Sequence, residues 1–308
     1  MKKVGIASFK AGLIGKGIQA SLTPALHMAE GRAQGFEYFY ELFDLDGVVG
    51  SSEPLTNLLA EAEGRGLGGL NITHPFKQQI IEFLDTLSDE AVALGAVNTI
   101  VLRGGRRHGH NTDWWGFAES FRRGLPRADL TSVVQLGAGG AGAATAFAIL
   151  RSGAAGLTIF DQDESRSLAL VENMQRHFPN AFVKAGADLS GAMATASGLI
   201  HATPTGMAKY PGLPVPADLL RFSLWVAEVV YFPLSTELVI EAGRRGCRTL
   251  NGGGMAVFQA VKAFQLFTGV EPDAERMLKH FEEMTRTPGR SAVAPGDGRS
   301  GPRSQPSQ

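Results

Sequence analysis

Val133-Val134-Gln135-Leu136 reads as a strand and runs into Gly137-Ala138-Gly139-Gly140-Ala141-Gly142, which opens an alanine-rich helical segment. The spacing is G-x-G-x-x-G in the strand–loop–helix setting that dinucleotide binding requires. Gly137 permits the tight turn, Gly139 lets the backbone approach a pyrophosphate, and Gly142 lets the helix pack close to the sheet. The helix N-terminus offers its N–H groups to the negative charge. A glycine-rich turn without a ligand is the competing reading, and the context weighs against it. Asp161 ends the next strand, Leu157-Thr158-Ile159-Phe160, at about the spacing of a ribose-binding acid. A carboxylate there accepts from both ribose hydroxyls and repels a 2′-phosphate, and Asp163 and Glu164 add negative charge. Arg166 is the basic residue near them and stands too far along the next helix to compensate, so the cofactor expected is NAD rather than NADP. Asp161 is also placed to cap the helix that follows, and one carboxylate can serve both ends.

Four further segments set polar residues in apolar surroundings: Ser21-Leu22-Thr23-Pro24-Ala25-Leu26-His27, Asn71-Ile72-Thr73-His74-Pro75-Phe76-Lys77, Gly95-Ala96-Val97-Asn98-Thr99 and Asn111-Thr112-Asp113. Each falls at or near a strand end or helix start, where α/β proteins bind ligands. Asn71 can bond the backbone of its own loop or a ligand. His27 is expected to pack or cap within its helix. No two histidines have ligand spacing on one helix face, so no metal is expected.

The elements that must position these residues are legible as an alternation of short apolar strands and helical segments, the mark of parallel α/β architecture. Strands are expected at Lys3–Ala7, Tyr38–Phe43, Leu67–Ile72 and Val97–Leu102. Helices are expected at Pro24–Gln34, with proline in its first turn, and at Ser88–Leu94, capped by Ser88. Arg103, Arg106 and Arg107 read as a turn between strands. After a helix at Trp114–Arg123 the pattern resets. Strands follow at Ser132–Leu136, Leu157–Phe160, Ala181–Lys184, Gly198–His201 and Leu224–Val229, with helices at Ala141–Leu150, Thr236–Arg245 and Met255–Phe267. The expected fold is α/β with two domains. Residues 1–115, completed by 255–286, form an α/β substrate domain; residues 116–254 form a Rossmann domain with a doubly wound parallel sheet. Residues 287–308 are rich in Pro, Gly, Ser and Arg and are expected to be a disordered tail.

Bulk composition narrows the function classes. With 308 residues, 44% apolar and 19% charged, the chain can bury a sizeable core without staples. A formal net charge of -1 and scattered basic residues give no footprint for nucleic acid or an anionic membrane. No stretch approaches the roughly 18 apolar residues needed to span a bilayer. The opening run is broken by Ser8, Lys10 and Gly12, so it reads as a strand rather than a signal peptide, and a cytoplasmic location is expected. Cys247 is the single cysteine, which excludes an internal disulfide and suggests a small buried thiol. The partner expected is a small-molecule substrate; a homodimer is left open.

The four polar segments and the glycine loop, in this order, resemble the shikimate dehydrogenase superfamily over about residues 5 to 285. So do the later markers Ala202-Thr203-Pro204-Thr205-Gly206-Met207, Val230-Tyr231-Phe232-Pro233 and Gly254-Met255 with Gln259. The resemblance implies a substrate domain built from both chain ends, with a Rossmann domain between them. It implies hydride transfer between NAD and quinate or shikimate, with the 3-dehydro ketones on the other side. By matching position Lys77 is the general base or acid and Asp113 its partner. Ser21 and Thr23 would bind the substrate carboxylate, Thr73, Asn98, Asp113 and Gln259 the ring hydroxyls, and Tyr231 would help close the site. Thr203, Pro204, Met207, Val229, Gly252 and Met255 would join the glycine loop, including Ala138, Gly140 and Ala141, with Asp161 and Arg166, around the cofactor.

Lys77 follows Pro75, which suits the first turn of a helix. A helix N-terminus and desolvation would both disfavour a charged amine there, while Asp113 would favour it; the sequence leaves that balance open. Thr112 and Asp113 are also placed to cap the next helix. Two departures resemble the NAD-dependent quinate/shikimate dehydrogenases: Ser21-Leu22-Thr23 where many relatives carry Ser-x-Ser, and Asp161-Gln162-Asp163 where many carry an Asn-Arg-Thr type clamp. Glu228 stands where many relatives have Asp. The competing readings are a shikimate-only or aminoshikimate-type dehydrogenase and, from another class, a catalytically idle NAD-binding regulator.

Overall fold

The computed structural model describes residues 8–46 and 53–286. The first part of the chain folds as β1 (Ser8–Gly15), α1 (Thr23–Ala33), β2 (Glu37–Asp44), α2 (Glu53–Gly64), β3 (Gly69–Ile72), β4 (Thr86–Leu87), α3 (Asp89–Leu94), β5 (Thr99–Arg103), β6 (Arg106–His110) and α4 (Asp113–Gly124). The strand expected at Lys3–Ala7 lies outside the described residues. The strands form one sheet in the order β2-β1-β3-β5-β6-β4. β1 runs parallel to β2 and β3, but β5 is antiparallel to both β3 and β6. This sheet is therefore mixed, where the alternation of strands and helices suggests a parallel one. The cause is local. Gly104 and Gly105 take φ of 61° and 70°, the backbone that a two-residue hairpin turn demands and side chains disfavour. Arg103 and Arg106 pair across this hairpin, so the basic cluster occupies strand ends and the glycines make the turn.

Strand alternation puts two cores on the two faces of this sheet. Ile14, Leu70, Ile72 and Ile100 meet Leu55 and Leu59 of α2 on one face. Ala11, Tyr38 and Val101 meet Phe264 and Phe267 on the other.

The chain continues as β7 (Val133–Leu136), α5 (Gly140–Arg151), β8 (Gly156–Phe160), α6 (Glu164–His177), β9 (Phe182–Ala185), α7 (Leu189–Thr195), β10 (Gly198–His201), β11 (Trp225–Glu228), α8 (Glu237–Arg244), β12 (Arg248–Leu250), α9 (Gly253–Thr268) and α10 (Ala274–Arg286). These strands make a second sheet, β12-β11-β10-β7-β8-β9, parallel throughout. Counted from β7 this is the doubly wound Rossmann order, which opens a crevice between β7 and β10 where the winding reverses. α6 is capped by Asp163, whose Oδ1 accepts from the Ser165 N–H at 3.0 Å, and not by Asp161. The helix begins at Glu164, which leaves Asp161 too far upstream to cap it.

α9 joins the two parts. Met255 near its start packs in the Rossmann core with Phe117 and Phe121 of α4, while Phe264 and Phe267 at its end cover the first sheet. α4 lies along α9, and a side chain at Gly116 would stand 2.7 Å from Gln259 N and 2.8 Å from Met255 O. Only glycine permits that approach. The chain after Gly254 thus returns to the first sheet, and α10 is tied there by Arg276, which pairs with the buried Glu30 of α1 at 2.7 Å. No helix among the described residues is long and apolar enough to cross a membrane. Residues 287–308, expected as a tail, lie outside the described residues.

His27 of α1 packs as expected. It is buried among Tyr38, Tyr40, Phe264 and Phe267, with ring centroids 5.1–5.9 Å away, and its Nδ1 lies 3.0 Å from Tyr38 Oη. Burial lowers its pKa to about 3. The unfolded imidazole takes up a proton near its ordinary value of about 6.5, whereas the folded one stays neutral down to about 3. In that window the unfolded state binds more protons, so this residue costs stability progressively as pH falls through it. Urea unfolding of wild type and His27→Asn between about pH 6 and 4 should show a wild-type loss steeper by about 1.4 kcal/mol per pH unit. Equal slopes would mean that the folded imidazole titrates normally.

Candidate active site

Three chain segments converge where the first sheet meets α4. Lys77 stands in the turn after β3, Asn98 just before β5, and Asp113 is the first residue of α4. Lys77 is not in the first turn of an α-helix, as its position after Pro75 suggests. Its carbonyl accepts from the Val97 N–H at 2.8 Å and so is lost to a helical ladder; a short 3-10 turn, Gln79–Phe83, follows instead. The helix-terminus argument for a neutral amine therefore has no basis in this fold.

Lys77 Nζ donates to Asp113 Oδ2 at 2.6 Å, and Asn98 Nδ2 donates to Asp113 Oδ1 at 2.8 Å. Asn98 is held in turn: its Oδ1 accepts from the Thr112 N–H at 2.7 Å and from Thr99 Oγ1 at 3.0 Å. Neither Thr112 nor Asp113 caps α4 with its side chain. The network takes both, since Thr112 Oγ1 accepts from Asn98 Nδ2 at 3.0 Å. Asn71 does not bond the backbone of its own loop; it bonds other segments. It is buried, its Nδ2 donates to Asn98 O at 3.2 Å and to Thr99 Oγ1 at 3.2 Å, and its Oδ1 accepts from Tyr40 Oη at 2.8 Å. A continuous hydrogen-bonded chain thus runs from Tyr40 through Asn71 and Asn98 to Asp113 and Lys77. Thr99 was named only as the end of the Asn98 segment, and Tyr40 was not singled out. A lone polar residue in a strand carries no signal that an asparagine two strands away will meet it.

Thr73 sits at the end of β3, its N–H bonded to Ile14 O at 2.9 Å and its methyl against Gly15. The loop after β1 folds onto the same place. Asp44 accepts from the Gly17 and Ile18 N–H groups at 2.8 and 3.1 Å, and the Ser21 N–H donates to Ile18 O at 2.9 Å. Ser21 Oγ accepts from the Thr23 N–H at 3.3 Å, so both hydroxyl residues are ordered at this end of the sheet. Gln259 lies on the α9 face that Gly116 touches, and its Nε2 turns back to Ala256 O at 2.9 Å. Tyr231 follows β11 and keeps 47% of its surface exposed. Its phenol is nevertheless raised above its ordinary pKa by lost hydration, with the Lys77 charge opposing and the Asp113 charge adding. Those two charges act on it across the cleft between the sheets.

The glycine loop follows β7 at the crevice. Gly137 has φ of 100°, and a side chain at Gly142 would stand 2.2 Å from Gly137 O. Both are fixed by close packing. At Gly139 and Gly140, by contrast, an added Cβ would meet nothing within 4 Å. The start of α5 therefore presents a bare backbone to open space, the cradle that a pyrophosphate needs. The buried Gln135, unremarked in the sequence, buckles the loop by donating to Gly137 O at 2.9 Å and Gly142 O at 2.8 Å. Asp161 stands beside the loop, Oδ2 accepting from the Ala138 N–H at 2.7 Å. Arg166 is exposed on α6 and pairs with Asp163 at 3.4 Å. Thr203 lies by Gly137, Pro204 and Met207 form the exposed turn beyond it, and Gly252 packs on the carbonyls of Val229 and Val230. Met255 is buried in the adjoining core. The open glycine face, the bare helix start and the carboxylate at the tip of β8 fit a dinucleotide.

Residues 13–100 match the model of a shikimate dehydrogenase substrate binding domain, and residues 252–280 that of a shikimate 5'-dehydrogenase C-terminal domain. The chain is 54% identical to a shikimate dehydrogenase (NADP(+)) of Streptomyces avermitilis, over 91% of this chain and 97% of that relative. It is 45% identical to a quinate/shikimate dehydrogenase (NAD(+)) of Corynebacterium efficiens, over 89% of this chain and 98% of that one. Among solved structures it is similar to quinate dehydrogenase from Corynebacterium glutamicum in complex with NAD. There the TM-score is 0.86 and the identity 44%, over 90% of this chain and 99% of the other.

The two ends of the polar chain should differ in their weight on stability. Asn98→Leu strands several buried partners and should cost about 3 kcal/mol, whereas Tyr40→Phe removes one bond and should cost about 1 kcal/mol. Urea titration of both variants measures this; equal losses would show that Asn98 is not the hub.

Proposed function

The chain belongs to the shikimate dehydrogenase family, and on that premise we propose that it interconverts quinate and shikimate with their 3-dehydro ketones, using NAD, with Lys77 as the proton-transferring group and Asp113 as its partner. The observation that carries this reading is the Lys77–Asp113 contact at 2.6 Å, its far oxygen anchored by Asn98. An idle regulator on the same fold would have no use for an amine and a carboxylate held so exactingly at the cleft.

A bound nicotinamide dinucleotide would supply the hydride acceptor for the ring carbinol carbon, or the hydride donor for the ketone. In reduction, Lys77 in its ammonium form gives a proton to the oxygen on which charge develops. In oxidation it receives the hydroxyl proton. Asp113 keeps Nζ on station in both directions, and proton transfer by a positioned group contributes about 10²–10⁴ in rate. Ser21 and Thr23 supply hydroxyl donors for the carboxylate of the acid, and Thr73, Asn98 and Gln259 border the ring. The backbone at Gly139, Gly140 and Ala141 would hold the pyrophosphate, and Asp161 the ribose.

The relatives divide between the two cofactors, and the local charge supports NAD here. Asp161, Asp163 and Glu164 gather at the tip of β8, and Arg166, the basic residue near them, sits in the first turn of α6 beside Asp163 at 3.4 Å.

Steady-state rates with quinate and shikimate, each with NAD and NADP, test this directly. Both acids should be oxidised, with kcat/KM for NAD about tenfold above that for NADP, since two like charges about 4 Å apart repel by about 1 kcal/mol in water and about 4 kcal/mol near a protein surface. A preference for NADP would overturn the cofactor assignment, and oxidation of neither acid would overturn the activity. Lys77→Ala should lower kcat by about 10³, with shikimate still bound in a calorimetric titration.

A further inference from the structure

Two loops border the cleft on the Rossmann side, residues 202–210 after β10 and residues 229–236 after β11. His201 and Glu228, the last residues of those two strands, are register neighbours, and both are sealed from solvent. Two ionisable side chains at apolar strand ends are costly unless their polar atoms find partners, and here every one does. Glu228 Oε1 accepts from the Val229 N–H at 2.8 Å, the Val230 N–H at 2.9 Å and His201 Nδ1 at 2.9 Å. Its Oε2 accepts from Thr236 Oγ1 at 3.0 Å. With those donors converging on it, the carboxylate is the acceptor toward the ring and Nδ1 carries the proton. Nε2 then faces Thr203 Oγ1 at 2.5 Å.

The consequence is a staple between the loops. Glu228 grips both ends of the segment that carries Tyr231, through Val229 and Val230 at one end and Thr236 at the other. His201 passes that grip to Thr203, whose methyl lies near Gly137 of the glycine loop. The two loops also run close together, since a side chain added at Gly206 would stand 3.3 Å from Thr236. Threonine, imidazole and carboxylate stand in the order of a hydrolytic triad. However, Thr203 Oγ1 already accepts from the Thr205 N–H at 3.3 Å within its own turn, and the imidazole is shut away from solvent. The arrangement fixes backbone and does not expose a nucleophile.

We propose that Thr203, His201 and Glu228 act as one positioning unit that sets the cofactor-side loop in register with the Tyr231 loop, so that cutting the His201–Thr203 link loosens cofactor binding as well as turnover. This rests on reading residues 203–207 as a wall of the cofactor site and Tyr231 as a wall of the substrate site. His201→Asn keeps a donor where Nδ1 was and leaves no atom where Nε2 was. Thr203→Val keeps the shape and removes the hydroxyl, and its half-buried loop position spares the core. Fluorescence titration with NADH should show each single variant binding about tenfold more weakly, the size expected for one strong hydrogen bond. The double variant should be no weaker than Thr203→Val alone, because that change already cuts the link and leaves His201→Asn nothing further to remove, and kcat should fall in step. A merely structural role would instead lower the melting temperature and the fraction of sites titrated, leaving the dissociation constant of the remaining sites alone. Wild-type affinity in both single variants, or losses that multiply in the double variant, would overturn the proposal. If wild type binds NADH but oxidises neither acid, the substrate reading alone fails and the titration still decides. If wild type binds no nicotinamide nucleotide, the cofactor reading and the proposal fall together.

Discussion

Both oxygens of one carboxylate carry the geometry of this protein. Asp113 Oδ2 meets Lys77 and Asp113 Oδ1 meets Asn98, so a single side chain sets the distances among three segments that are remote in sequence. The carboxylate can do this only if the start of α4 is itself fixed. That start is fixed by the packing of α4 on α9 at Gly116, and α9 is fixed because its two ends lie in different cores. With side chains 25% and 12% exposed, the ion pair is neither a screened surface contact nor a dry one. Its contribution to stability is therefore modest, and its contribution to geometry is large.

The two halves of the cleft solve the same problem by the same means. Strand ends that face a polar ligand must carry polar groups, and groups buried there without partners would cost stability. The first sheet answers with neutral amides, Asn71 and Asn98, cross-bonded to Thr99, Thr112 and Tyr40. The second answers with an ionisable pair, His201 and Glu228, and recruits backbone N–H groups to complete it. In each case one buried side chain gathers donors from several loops, which converts flexible connections into a fixed surround. His27 is a contrast: its aromatic neighbours give it packing and one partner, and it belongs to the core rather than to the cleft.

Sequence reasoning succeeded where a local rule suffices. The glycine loop was legible because its spacing, the preceding apolar strand and the following helix agree. Ser88 was legible as a cap, its Oγ accepting from the Ala91 N–H at 3.3 Å. Elsewhere a nonlocal partner overrode a local preference. Val97 captured the Lys77 carbonyl and prevented a helix there. Asn98 captured the side chain of Thr112, which would otherwise cap α4. Asp163 displaced Asp161 as the cap of α6 because the helix begins only at Glu164, about half a turn after the place that Asp161 would cap. The glycine pair at 104–105 made a hairpin that reversed the chain inside a sheet expected to be parallel.

The sequence by itself determined the α/β class, the Rossmann half with its cofactor loop, and the set of polar segments that had to meet, because periodicity and glycine placement are properties of neighbouring residues. It also settled the acidic character of the β8 tip, since Asp161, Asp163 and Glu164 are close in the chain. Only the tertiary structure decided which of the polar residues bond one another and which are left open at the cleft. Asn71 became a brace between Tyr40 and the Asn98 segment, and Glu228 became the hub of two loops. The physical reason is that a hydrogen bond is satisfied by whichever partner packing brings within about 3 Å, and packing joins residues tens of positions apart.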